Sequence, residues 1–400
     1  MKVLQISHKP PIPTIDGGCI AINNTSKALI DELGSIKILT LSTYKHPFDI
    51  NFYDKEYQKK TSIESSYVDT RIKISDAIIN LLKNNSYNIS RFYSTEFKKL
   101  IIKTLKSNTY DIVVLESLFT CGYIKTIKDY STSKIILRSH NIEHKIWDKI
   151  SNESLNPIKK IYFKILSNQL KNYELEILKK IDGVACISDN YKNEFERLDS
   201  DLKIETIPFG INIKNYRFKD KIRDDQKLKF FHIGAMDWLP NSEAAKWLIN
   251  EIWPRIHKKI PNSELHLAGK NMPDWVNSSL KLNIYNHKEV KDSLKFITQH
   301  DIMLVPLLSG SGIRVKIIEG MALGKAIIST SLAAEGIDYE KDVNLMIANS
   351  VEEFCNNAEK IYYGNLSLKK IGLNARKLVE KNHNQNKISK KLVSFLESVL

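Results

Sequence analysis

The stretch from Asp301 to Ser329 constrains this chain most: an apolar run, a glycine turn, an apolar helix and a second apolar run follow one another. Asp301-Ile-Met-Leu-Val-Pro306 has the continuous apolar pattern of a parallel strand covered on both faces. Gly310 and Gly312 then permit a tight turn with close backbone approach. Residues 313–323 read as a helix, Gly324 stands where a helix-ending glycine belongs, and residues 326–329 form the next buried strand. A turn between strand and helix leaves free N–H groups at the helix N-terminus, which makes an anion site. Arg314 and Lys316 add two cations beside it. Gly312, Lys316 and Glu319 share one helical face by their spacing. A phosphate at the turn and a polyol near Glu319 would fit that face, and a sugar nucleotide carries both. The plainer alternative is a surface pair of Lys316 with Glu319. The helix is otherwise strongly apolar, and charges are rarely buried unless paired or used.

The run Ser309-Gly-Ser-Gly-Ile-Arg-Val-Lys-Ile-Ile-Glu-Gly-Met-Ala-Leu-Gly-Lys325, continued by Ile-Ser-Thr-Ser-Leu-Ala-Ala-Glu-Gly336, resembles the C-terminal domain of family 4 glycosyltransferases. These enzymes are of the GT-B type, with two Rossmann-like domains. The resemblance implies an α/β protein of two doubly wound domains facing across a cleft, with the last helix crossing back to the first domain. It covers the second half well and the first half loosely.

Four hundred residues suffice for two domains, each with its own core. An apolar content of 42% and a charged content of 26% describe a globular protein. The net charge of +14 favours acidic partners. Lys, Ile and Asn abound throughout, however, so a general compositional bias accounts for most of that charge. Cys19, Cys121, Cys186 and Cys355 lie far apart with no metal-ligand or redox spacing. No apolar run approaches the roughly 18 residues of a membrane span, and Met1-Lys-Val-Leu-Gln-Ile-Ser7 reads as a strand rather than a leader. The expectation is a cytoplasmic protein, with peripheral contact to an anionic membrane as a further possibility.

In the first half, residues 2–7, 36–41, 111–115, 134–137, 183–187 and 203–207 read as strands. Gly17-Gly18 opens a helix after the first of them, at the edge where parallel sheets bind ligands. Residues 44–90 are polar and Lys-rich, with helical pieces near 72–83 and 91–106, and could shape acceptor binding or meet lipid headgroups. His140-Asn141 follows a strand and precedes a helix, so a cleft position and an N-cap by Asn141 are both open. Glu143 and His144 are expected on the helix surface. Asp199-Ser-Asp201 has the form by which other glycosyltransferases bind a divalent metal, but it lies in a polar turn and reads as a solvated loop. In the resembled family the His-Asn-Ile-Glu run at His140 brings the histidine toward the donor sugar, and the Gly17-Gly18 loop faces the donor phosphate.

Ile207-Pro-Phe-Gly-Ile-Asn212 resembles that family's interdomain motif, and a charged linker runs to about residue 227. The boundaries expected are 1–207 with about 384–400 for the first domain, and 208–383 for the second. Residues 228–233, 264–268, 282–285 and 344–347 continue the strand series. Gly234 opens the loop after the first of these, where Asn241 or Ser242 can cap a helix running to about residue 260, and Asn286-His287 could approach a nucleotide base through backbone groups. Two departures from the family stand out. The loop after the first strand of this half reads Ala235-Met-Asp-Trp where many members carry Arg and Lys. Ser311 stands where many carry the first of two glutamates, eight residues before Glu319, which leaves the donor sugar open.

The resemblance implies a glycosyltransferase moving a sugar from a nucleoside-diphosphate sugar to an acceptor hydroxyl, with retention and without a bound metal or cofactor. A role in bacterial surface polysaccharide synthesis and a saccharide or lipid-linked acceptor follow from resemblance alone. Arg314 and Lys316 would stabilise the leaving diphosphate together with the amides of Gly310, Ser311 and Gly312. Glu319 would hold the ribose. Gly17, Gly18, Gly234 and His287 complete the donor-side expectation, and His140 completes the catalytic one. A nucleotide-sugar epimerase of the same architecture and a catalytically inactive nucleotide-sugar scaffold are the rivals. Nucleic-acid binding has only charge in its favour.

Overall fold

The computed structural model describes residues 1–73, 80, 86–154, 156–218, 227–278, 281–310 and 312–400. Parts of the expected 72–83 helix and of the linker to 227, and the whole of Ser311, lie outside the described residues. The chain divides into one unit of Met1–Phe209 with Asn386–Leu400 and a second of Gly210–Gln385.

Seven parallel strands build the first unit's sheet: β1 (Val3–Ser7), β2 (Lys37–Ser42), β3 (Glu64–Tyr67), β4 (Ile112–Glu116), β5 (Lys134–Ser139), β6 (Gly183–Cys186) and β7 (Lys203–Thr206). Their spatial order is β3-β2-β1-β4-β5-β6-β7. Side chains alternate across it. Leu4, Ile6, Val113, Leu115, Ile135 and Leu137 bury one face, under the helices Thr95–Ser107 and Pro157–Leu178. Val3, Ile38, Ile112, Val114 and Ile136 bury the other, where Ile388, Leu392 and Leu396 of the final helix Gln385–Val399 pack. Burial on both faces is why these strands read as continuous apolar runs. Strand β3 departs from the sequence reading. Glu-Ser-Ser-Tyr has no apolar run and is only partly buried, because an edge strand needs a single neighbour.

The second unit holds β8 (Lys229–Ile233), β9 (Glu264–Ala268), β10 (Ile284–Asn286), β11 (Ile302–Val305), β12 (Ala326–Ser329) and β13 (Met346–Ile347). Their order is β10-β9-β8-β11-β12-β13, and every pairing is parallel. Phe230, Leu265, Leu267, Leu304 and Ile328 meet Leu248, Ile252 and Trp253 on one face. On the other face lies helix Val315–Ala322, where a Cβ on Gly320 would come within 3.1 Å of both Met303 and Ile327. Each sheet reverses its strand order once, at β1/β4 and at β8/β11. Parallel sheets bind ligands at the carboxyl ends of strands beside such a reversal.

Candidate functional site

At the β8/β11 reversal, the loops leaving both strands are tied together by the residues of the glycine turn. Gly310 has φ +99° and Gly312 φ +83°, backbone conformations that L side chains rarely adopt. A Cβ on Gly310 would also lie 2.9 Å from the Trp238 ring. That ring carries the Arg314 guanidinium 5.3 Å from its centroid, and Arg314 Nη1 donates back to the Gly312 carbonyl. Ser309 Oγ donates to Glu243 at 2.6 Å. The helix proper begins at Val315, so Gly312 belongs to the turn rather than to the helical face that spacing assigned it.

Lys316 is the connecting residue. Its ammonium donates to the Ile233 carbonyl at 2.9 Å, at the end of β8, and to Asn241 Oδ1 at 2.8 Å. Burial, reinforced by the nearby Arg314 charge, lowers its pKa to about 7. Asn241 in turn donates to the Ala235 carbonyl, and the helix starts earlier, at Leu239, with Trp238 at its N-cap. Neither Asn241 nor Ser242 is therefore the cap that sequence suggested. Gly234 packs against Asn241, whose side-chain amide leaves no room for a Cβ, and donates its N–H to Ala268. Glu319 accepts from the Tyr216 hydroxyl at 2.9 Å; burial raises its pKa, and that hydrogen bond works the other way. Lys316 and Glu319 thus each take a partner from elsewhere in the unit. His287 lies apart, beyond edge strand β10, with its N–H given to the Leu267 carbonyl.

At the β1/β4 reversal the groups are imidazoles and carboxylates. Glu116, fully buried at the end of β4, accepts from Gln5 Nε2 at 2.8 Å and lies 2.7 Å from His140 Nε2. Gln5 accepts from Ser26, so the chain Ser26–Gln5–Glu116 sets the His140 ring. His8 meets the Glu116 carbonyl through Nδ1; burial, aided by the Lys9 charge, lowers its pKa well below the usual imidazole value. Gly17 and Gly18 open the helix Gly17–Leu33, capped by Asp16, which accepts from Cys19 N at 2.8 Å. Both Asp16 oxygens also accept from Lys9, whose ammonium lies where a Cβ of Gly18 would be. His46 adds a contact of 2.8 Å to Asp16.

Helix Glu143–Glu153 overturns two expectations. Asn141 is not its cap; Ile142 holds the N-cap position, and Glu174 of helix Pro157–Leu178 accepts the Glu143 N–H instead. Glu143 and His144 do not sit on the surface either. Glu143 is 8% exposed, and His144 pairs with the buried Glu174. Burial, with Glu174 nearby, pushes the Glu143 carboxyl up to about 7. Asp199-Ser-Asp201 does lie in an exposed turn after helix Asp189–Leu198.

Sequence reading missed Glu116, Tyr216, Trp238 and Glu174. Glu116 carried a signal: a lone charge ends the apolar run Ile-Val-Val-Leu-Glu116, at a strand's carboxyl end. Tyr216 and Glu174 are distant in sequence from what they touch and carried none.

Residues 227–363 match the family described as glycosyl transferases group 1. A Klebsiella pneumoniae protein, described as an uncharacterized 44.6 kDa protein in the cps region, is 24% identical over 400 residues, 97% of each chain. Among solved structures, the sucrose-phosphate synthase of Thermosynechococcus elongatus superposes with a TM-score of 0.72 at 13% identity, over 100% of this chain and 99% of that one. Anabaena HepE in complex with UDP superposes with a TM-score of 0.70 at 13% identity, over 100% of each chain.

Proposed function

We propose that this chain, which has the GT-B fold and matches the group 1 glycosyltransferase family over residues 227–363, is a retaining glycosyltransferase of family 4 using a nucleoside-diphosphate sugar. The observation carrying this reading is the glycine turn at the β8/β11 reversal, with Arg314, Lys316 and Glu319 on the segment that follows. Donor phosphates would take the turn's N–H groups, and the cations would offset charge on the departing diphosphate. Glu319, held by Tyr216, would accept from the ribose hydroxyls. In the first unit, Glu116 orients the ring of His140. No metal or cofactor is assigned a role in this transfer. Uridine is the first base to try, because similar structures were solved with UDP. A cps-region relative supports a surface-polysaccharide acceptor.

Thermal stabilisation by UDP, GDP, ADP and CMP tests the donor site. A ligand at 100 times its Kd adds about 2.7 kcal/mol. One nucleotide should stabilise the wild type, and Lys316→Ala and Glu319→Ala should lose that response. Stabilisation of neither wild type nor variants would overturn the donor-site reading, and the nucleotide-sugar scaffold with it.

Peripheral membrane contact is part of the same proposal. Among the described residues no helix is long and apolar enough to cross a membrane. Ile158 and Ile161, 78% and 63% exposed, stand beside Lys159, Lys160 and Lys164 at the start of helix Pro157–Leu178. An apolar row flanked by lysines suits an anionic lipid surface. Co-sedimentation with anionic vesicles should be lost in Ile158→Ser/Ile161→Ser, and absence of binding by the wild type would discard the contact.

A further inference from the structure

Three histidines gather in the second unit, away from the glycine turn. His266 lies in β9 and His300 just before β11, both buried, and His287 is exposed beyond β10. One ring nitrogen from each lies within 4.8 Å of one from each of the others. We propose that His266, His287 and His300 bind a divalent transition-metal ion of the zinc class, with the remaining coordination position open to water. This site is independent of the sugar-transfer reading.

The hydrogen bonds already sort the ring nitrogens. His266 Nε2 lies 3.2 Å from Glu264 Oε2, and a carboxylate accepts, so Nε2 carries the proton and Nδ1 keeps its lone pair. His300 Nδ1 donates to the Phe296 carbonyl at 2.7 Å, which leaves Nε2 to offer. Metal-ligating histidines are held this way, with one nitrogen donating to a carboxylate or carbonyl and the other turned to the metal. His287 Nε2 donates to the His266 Nδ1 lone pair at 2.9 Å, a hydrogen bond the metal would replace, with the proton moving to His287 Nδ1. Metal–nitrogen bonds of about 2.0–2.1 Å in a tetrahedron set ligand nitrogens roughly 3.3 Å apart. Binding would open the His266–His287 contact slightly and close the wider separations. His287 is at the surface, where its ring can turn.

The environment also favours the ligating form. Neutral imidazole is the ligating form, and the Glu264 and Phe296 contacts each leave one ring nitrogen of His266 and His300 free of a proton. Lys229 and Lys325 stand nearby and oppose a cation, while Glu264 offsets them. Three nitrogen ligands and one open position match zinc better than oxygen-seeking ions. A second group, Asp16, Cys19 and His46, also lies close enough to share an ion. Its Asp16 oxygens are taken by Lys9, His46 and Cys19 N, and burial pushes the Cys19 thiol up to about 12. It carries no proposal.

The test uses the full chain, purified without a histidine tag and stripped with chelator, and titrated with Zn²⁺ by calorimetry. Co²⁺ uptake is followed in parallel by its visible absorption. The expected result is one Zn²⁺ per chain, with affinity lowered at least tenfold in His287→Ala and in His300→Asn. Glu264→Gln, which alters the outer partner of His266 and also removes the Glu264–Lys227 ion pair, should weaken binding by roughly 10- to 100-fold. Exposed His287 is a position where substitution leaves the core intact, which guards against a folding artefact. The proposal is overturned if the wild type shows no saturable uptake below about 100 μM, a binding energy of only about 5.5 kcal/mol. It is equally overturned if His287→Ala binds like the wild type, or if His46→Ala is the variant that loses the metal.

Discussion

The two strand-order reversals are topologically alike and chemically opposite. At each, loops leave the carboxyl ends of adjacent parallel strands and a helix begins nearby. At β8/β11 the side chains are two cations and two carboxylates, Glu243 and Glu319, with a tryptophan ring, backbone carbonyls and an amide around them. At β1/β4 they are imidazoles around a buried carboxylate, with the lysine there already paired to Asp16. Topology supplies the place, and the side chains decide which chemistry occupies it. The second unit is suited to holding an anion, the first to orienting an imidazole.

The sharpest way to break this contrast is to remove its central cation. Lys316→Ala should lower the rate of sugar transfer by about 10²–10³-fold, the scale of losing one preorganised charge-stabilising donor. It should also abolish nucleotide stabilisation, because the ammonium ties both loops together. Glu116→Gln should act differently. Nucleotide binding should be retained while turnover falls tenfold or more, since a hydrogen bond to a charged group contributes about 1.5–3 kcal/mol. Equal loss of donor binding in both variants would erase the distinction between the two places.

Two pH dependences sharpen it further. The pKa of Lys316 is about 7 in the folded chain, below its ordinary 10.5. Between these values the unfolded chain holds the extra proton, so without ligand this group's contribution to stability rises with pH. A bound diphosphate favours the ammonium, so nucleotide affinity should fall above pH 7, by at most about tenfold per unit. Calorimetry in buffers of different ionisation enthalpy would register the proton taken up. Glu143 behaves in the opposite sense. Its folded pKa of about 7 exceeds the ordinary 4.5, so its contribution to stability falls as pH rises across that window. Glu143→Gln should therefore stabilise the first unit above pH 7, by about 1–3 kcal/mol. Denaturation at pH 5 and pH 8 checks this, and a gain equal at both would sink it.

Gly310→Ala tests the turn itself, with an expected effect of similar size. A left-handed backbone and a ring 2.9 Å from the new methyl should cost about 1–3 kcal/mol in the second unit. Trp238→Ala in the same chain should recover the steric part alone, leaving the backbone part.

Much of the fold was legible because parallel strands covered on both faces announce themselves as apolar runs. Residues 264–268 and 326–329 were bounded as they stand. Edge strand β3 was not legible, because half-covered strands tolerate Glu-Ser-Ser-Tyr. The glycine turn was legible as well, since positive φ restricts which residues can stand there. Sequence by itself thus determined two alternating strand–helix series and the turn on which the second is centred. Only the tertiary structure decided what each charged side chain touches. Tyr216 reaches Glu319, Asn241 reaches Lys316, Glu116 sets His140, and His266, His287 and His300 converge from three separate segments. The physical reason is range: local periodicity reports which face a residue takes, whereas a hydrogen bond spanning 75 or 103 residues depends on strand order.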